Sequence, residues 1–176
     1  MITSKMLLLL LLHNNNLNID TTSVETEQLY CLTMNIYHEA RGEDFDGKLA
    51  VANVTKNRVN DTRYPNTFCE VVKQGVTNHL GEPKLNKCHF SWYCDGNSDK
   101  IILRKDKKWH EVNYNSFKDS SLAAMLVISN TVDDTTHGAT HYYNSKLADP
   151  NWADLYTFVV DIGNHSFYRR EPNSSF

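Results

Sequence analysis

The chain has no apolar run of the length, about 20 residues, that a helix needs to cross a bilayer, so no stable membrane span is expected. Neither sign of charge dominates: 18 Lys and Arg against 21 Asp and Glu leave a formal −3, which gives no footing for nucleic-acid binding. The densest basic stretch, Arg104-Lys105-Asp106-Lys107-Lys108, contains an aspartate and is flanked by Ile101-Ile102-Leu103 and Trp109. That pattern reads as a solvated hairpin or loop. No repeat and no interdomain linker divides the 176 residues, which suits one domain with a real core. Motifs for nucleotides, organic cofactors or calcium are lacking, so no cofactor is expected. His38-Glu39 starts like the zinc-protease H-E-x-x-H motif, but Gly42 stands where the second histidine is needed. Oligomeric state is not legible.

Residues 1–24 are set apart as a leader. Lys5 followed by the seven apolar residues Met6 to Leu12 resembles the basic and apolar parts of an export signal, yet His13-Asn14-Asn15-Asn16 follows without a small-residue cleavage site. The expected location is secreted or wall-bound, or at the wall after delivery during phage lysis. Residues 171–176 form a tail, leaving 25–170 as the domain. Four cysteines, Cys31, Cys69, Cys88 and Cys94, allow three pairings in an exported protein, or serve as small buried residues in a reducing one. A zinc site from Cys69, Cys88, His89 and Cys94 is disfavoured because the gap between Cys88 and Cys94 is wider than paired ligands use. No metal is expected.

What is present begins with Thr26 to Arg41, an amphipathic helix whose stripe is Leu29, Leu32, Ile36 and Ala40. At 100° per residue Glu39 lies about 60° from Ile36, on the rim of that stripe, and Gly42 supplies a stop. Partial burial and the negative helix end both disfavour ionisation, keeping a proton on the carboxyl group as a general acid requires. A carboxylate paired with Arg41 or Arg58 fits the same residues. Further helices are predicted over Asp46–Val59, over a short stretch capped by Asn66 or Thr67 and stopping at Gly75, and over Ser116–Val132, where Leu122, Met125, Leu126 and Ser129 share a face. Residues 76–115 read as irregular or short strands. Thr140–Tyr143 and Thr157–Ile162 are strand predictions. The fold class is α+β, mainly helical with a small sheet or hairpin.

The motif Tyr37-His38-Glu39-Ala40-Arg41-Gly42 resembles the signature of SleB-type cell wall hydrolases, the spore cortex-lytic enzymes and their phage and bacterial relatives. Further blocks follow in family order: Ala50-Val51-Ala52-Asn53-Val54, Asn57-Arg58-Val59, Tyr64-Pro65-Asn66-Thr67, Cys88-His89-Phe90-Ser91-Trp92, Gly138-Ala139-Thr140-His141-Tyr142-Tyr143 and Ile162-Gly163-Asn164-His165. Together they span about Leu29 to Arg169. The resemblance implies a lysozyme-like fold, peptidoglycan as partner, and Glu39 as the catalytic acid.

Cutting a glycan needs a proton on the glycosidic oxygen while positive charge grows on the sugar. Glu43, Asp44 and Asp46 lie close in sequence, but the break at Gly42 means that none is forced into the role of second carboxylate. The resemblance therefore implies a lytic transglycosylase, in which Glu39 acts as acid and then as base and the muramoyl C6 hydroxyl attacks. A muramidase using water is the alternative. A sugar groove wants aromatic faces beside fixed polar groups, and Gln74, Phe90, Ser91, Trp92, His141, Tyr142, His165 and Tyr168 are the candidates. Ordinary core packing is the competing reading for Phe90, Trp92 and Phe167. A cysteine peptidase using Cys31 or Cys88 with His141 or His165, and a non-catalytic glycan-binding module, are the rivals from other classes.

Overall fold

The computed structural model describes residues 24–101 and 108–171. The leader, most of the Arg104–Lys108 run and the last five residues lie outside them. Helix α1, Val24–Ala40, is the axis on which α2 (Phe45–Asn60), α3 (Phe68–Val72) and α4 (Lys108–Ile128) gather. Its predicted stripe of Leu29, Leu32, Ile36 and Ala40 is buried, and so are Thr26, Thr33 and Asn35. The helix is enclosed on more sides than its periodicity indicates, because neighbours cover its polar flank as well.

Each later helix shows its own local cause. Asp44 caps α2, its carboxylate accepting from the Gly47 amide at 2.9 Å, so the helix starts one residue before the predicted Asp46. Small residues let α2 sit between two layers. Val51 and Ala52 join the helical core, while Ala50 and Val54 meet Ala139 and Phe167 of the sheet layer. Thr67 caps α3 as predicted. Helix α4 begins well before Ser116, and its buried face is Phe117, Ala123, Ala124 and Val127 with Ser116, Ser120 and Ser121. Ser120 and Ser121 hydroxyls donate to carbonyls one turn back at 2.8 Å, which satisfies these buried groups while the small side chains allow close approach. The face of Leu122, Met125, Leu126 and Ser129 instead lines an apolar surface groove of about 940 Å³, bounded by α3 and the start of α1.

Between α3 and α4 the chain forms an antiparallel hairpin, β1 (Gly75–Thr77) with β2 (Pro83–Cys88), and then a 3-10 turn over Ser91–Cys94. After α4 comes a three-stranded antiparallel sheet, β3 (His141–Tyr143), β4 (Thr157–Ile162) and β5 (His165–Arg169), in the order β3-β5-β4. β4 matches its prediction; the central strand β5 was not predicted. Gly163 takes φ +60° in the two-residue turn that brings β5 back along β4. The fold class is α+β, mainly helical with small sheets, as expected.

Disulfides Cys31–Cys69 and Cys88–Cys94 consume all four thiols, which removes the zinc and cysteine-nucleophile readings. The first ties α1 to α3 across 38 residues, the second ties the end of β2 to the 3-10 turn across 6. In the chain-entropy picture the longer loop contributes about 4 kcal/mol and the shorter about 2 kcal/mol. Cys31→Ala/Cys69→Ala is therefore expected to lower the urea midpoint more than Cys88→Ala/Cys94→Ala. Equal losses in the two double variants would contradict that loop-length assignment.

Candidate active site

Glu39 is the penultimate residue of α1, half-buried, where the helix meets the sheet. Asn35, one turn earlier and fully buried, holds the helix in place: its amide donates to Thr55 Oγ1 at 3.1 Å and accepts from Trp92 Nε1 at 3.0 Å. α1, α2 and the 3-10 turn are thus pinned together directly behind the carboxyl group. From the sheet side Tyr142 Oη donates to Glu39 Oε2 at 2.8 Å. Burial raises the Glu39 pKa, and that effect outweighs the Tyr142 hydrogen bond and the Arg58 charge, which pull it down. The Tyr142 pKa is driven well above its ordinary value by burial and by Glu39, so the phenol keeps its proton and donates. The site is therefore a carboxyl group with a raised pKa and one oxygen held by a phenol.

The neighbouring carboxylates are committed elsewhere. Asp44 caps α2. Glu43 accepts from the Asn164 amide and from its side-chain Nδ2, both at 3.0 Å, and its backbone carbonyl accepts from Lys48 Nζ. A Cβ on Gly163 would run into the Glu43 carboxylate, which explains why the turn uses glycine there. Glu43 thus anchors the β4–β5 turn. Glu43→Gln is expected to cost about 1–2 kcal/mol of stability by leaving donor facing donor at Asn164, and to lower turnover less than tenfold. A folded Glu43→Gln protein with no turnover at all would make Glu43 a second reacting carboxylate.

The register of the sheet sorts the other predicted residues into two groups. Tyr142 pairs with Phe167, and His165 lies two residues along the same strand, so all three face the helices. His165 meets the Tyr142 ring edge-on with centroids 5.1 Å apart, and burial lowers its pKa against the pull of Glu43, whose Oε1 is 3.9 Å from His165 Nδ1. His141 pairs with Tyr168 on the opposite face. There His141 packs on Trp152 and Tyr156, and Tyr168 stacks on Tyr143. Burial, with Arg58 as the next cause, pushes His141 down to about 3, so its ring is neutral.

Phe90 is 2% exposed and lies under the Arg58 guanidinium at 4.8 Å. Trp92 stacks on His38 at 4.4 Å and packs against the helical core. Ser91 is exposed at the start of the 3-10 turn. Gln74 is half-buried beside the hairpin, its backbone carbonyl accepting from the His89 amide, and its side chain makes no hydrogen bond to Glu39. Asn35 and Trp152 belong to the site region but were not singled out from sequence, because a buried amide inside a helix carries no periodic signal.

The profile of the family described as Cell Wall Hydrolase matches residues 42–168. The chain belongs to the cell wall hydrolase family. The matched segment starts at Gly42, three residues past Glu39, so it takes in Tyr142 and His165 but not Glu39. Spore cortex-lytic enzymes of Oceanobacillus iheyensis and Bacillus cereus are 30% and 29% identical over 132 residues, covering 75% of this chain and 38% and 40% of theirs. This cell wall hydrolase chain thus spans about two fifths of the length of those relatives. Its fold is similar to the catalytic domain of the germination-specific lytic transglycosylase SleB from Bacillus anthracis, with TM-score 0.57 at 22% identity over 86% of this chain and all of that one. The Bacillus cereus SleB catalytic domain gives 0.55 at 24% over 84% and 94%.

Proposed function

We propose that this cell wall hydrolase cleaves the glycan strand of peptidoglycan between N-acetylmuramic acid and N-acetylglucosamine as a lytic transglycosylase. The observation that carries the reading is the half-buried Glu39, its pKa raised by burial and one oxygen held by Tyr142, with Glu43 and Asp44 engaged in holding the fold. Such a site has one carboxyl group to offer, and the chemistry it suits uses one.

In the first step Glu39 passes its proton to the glycosidic oxygen as the bond from the muramoyl C1 breaks. Tyr142 then hydrogen-bonds the carboxylate so produced, which in turn takes the proton of the C6 hydroxyl as that oxygen bonds to C1. The product ends in a 1,6-anhydro ring and no water is consumed. His165 braces Tyr142, while Asn35 and Trp92 hold the end of α1. Ser91 and Gln74 on the hairpin side extend the groove for further sugars and the buried Phe90 supports it from below, while His141 and Tyr168, on the opposite face of the sheet from Tyr142, offer a separate aromatic surface for the strand. Two disulfides suit work outside the cytosol, at the wall.

Mass spectrometry of the soluble products from purified peptidoglycan tests this reading. Anhydromuramoyl ends, absent from a Glu39→Gln digest, are expected. Products one water heavier with reducing muramic ends would make the protein a muramidase. Binding to peptidoglycan without any products would make it a non-catalytic glycan-binding module.

A further inference from the structure

Arg58 is a buried cation whose charge acts on Glu39, and the reaction as described gives it no part. Its residue is 6% exposed, Nε donates to the Thr140 carbonyl at 2.7 Å, and the guanidinium is sandwiched by Phe90 at 4.8 Å and Tyr64 at 5.5 Å. Nη1 is buried and makes no hydrogen bond among the described residues. No carboxylate among the described residues lies within ion-pair distance, and the one whose charge acts on Arg58 is Glu39. Because a guanidinium does not give up its proton, this cation cannot escape its burial by neutralising, as a lysine can. While Glu39 is protonated the buried charge has only rings and a carbonyl around it. When Glu39 ionises, it gains an opposite charge.

We propose that Arg58 is a positioning residue for the cleavage: clamped between Phe90 and the Thr140 carbonyl, its fixed charge is compensated only after Glu39 has delivered its proton. This rests on the reading of Glu39 as the acid. Tyr142 from β3 hydrogen-bonds Glu39 with His165 behind it, and the charge of Arg58 from α2 lowers the Glu39 pKa. Around Arg58 stand Tyr64, Tyr142 and Tyr156, and the neutral rings of His89 and His141 feel its charge. The bond to Thr140, two residues before Tyr142, also couples the cation to the strand that holds the Glu39 oxygen. Acid, phenol and cation form one unit.

The test is the pH–rate profile on purified peptidoglycan for the parent, Glu39→Gln, Arg58→Gln and Arg58→citrulline, each checked by thermal unfolding. Citrulline keeps the planar side chain and the bond to Thr140 but carries no charge. Without the cation Glu39 holds its proton to higher pH and surrenders it less readily. The alkaline limb is therefore expected to move up by about one pH unit, while kcat falls about tenfold and KM changes less than threefold. If Arg58→Gln does not fold, the citrulline protein decides. A folded neutral variant whose limb does not move overturns the inference. So does a citrulline protein that fails to fold, since the charge then belongs to the fold. Activity retained by Glu39→Gln is a different result and removes the Glu39 reading itself.

Discussion

Glu39→Gln is expected to lower the initial rate of peptidoglycan cleavage by about a thousandfold while thermal unfolding stays within a few degrees of the parent. The amide preserves shape and still accepts the Tyr142 hydroxyl at the oxygen now 2.8 Å away, so the packing around α1 has no reason to change. What disappears is the proton. General acid catalysis is usually worth a hundredfold to ten-thousandfold, and here the same group serves both steps, which places the loss near the middle or above. The parent carries a second signature. Burial holds the Glu39 pKa above the ordinary carboxylate range, so activity falls on the alkaline side as pH rises through that raised value, and the variant shows no such limb. Turbidity loss across pH 4 to 9 measures both. A Glu39→Gln protein within tenfold of the parent would end the assignment.

Phe167→Ala is expected to destabilise the domain by about 3–5 kcal/mol, the range for emptying a buried aromatic site. Phe167 is fully buried at the centre of β5, packed with Ala50, Val54 and Ala139 and touching the Tyr142 ring at 5.6 Å. For a chain of this size that loss lowers the melting temperature by about 10 °C. The cavity opens under Tyr142, so the hydrogen bond to Glu39 should loosen and turnover should drop even well below the melting point. Calorimetry combined with rates at low temperature separates the two effects. A loss under about 1 kcal/mol would mean that the sheet's inner face is not the packed layer described.

Several elements were legible because short-range rules act on them. The α1 stripe follows from a 3.6-residue period, Thr67 is a polar cap at a helix start, and Thr157–Ile162 is a run of strand formers. The central strand β5 was not read, although Gly163-Asn164 is a tight-turn signal. Its short run His165-Ser166-Phe167-Tyr168-Arg169 alternates imperfectly, and it becomes a strand by pairing on both edges. On α4, Leu122, Met125, Leu126 and Ser129 share a face as predicted, and the structure sets that face along the surface groove while close helix approach selects Ser120, Ser121, Ala123 and Ala124 for the interior.

By itself the sequence determined the fold class, a carboxyl group on the rim of the buried stripe near the end of the first helix, and the family to which its motifs are similar. Tertiary structure alone decided the rest: that Tyr142 reaches Glu39 from 103 residues away, that Glu43 is engaged in the β4–β5 turn, that His141 and Tyr168 occupy the opposite face of the sheet from Tyr142, and that Arg58 is buried between Phe90 and the Thr140 carbonyl. The physical reason is range. Helix period, capping and turn chemistry act over a few residues, whereas desolvation and charge coupling depend on what distant segments bring into contact.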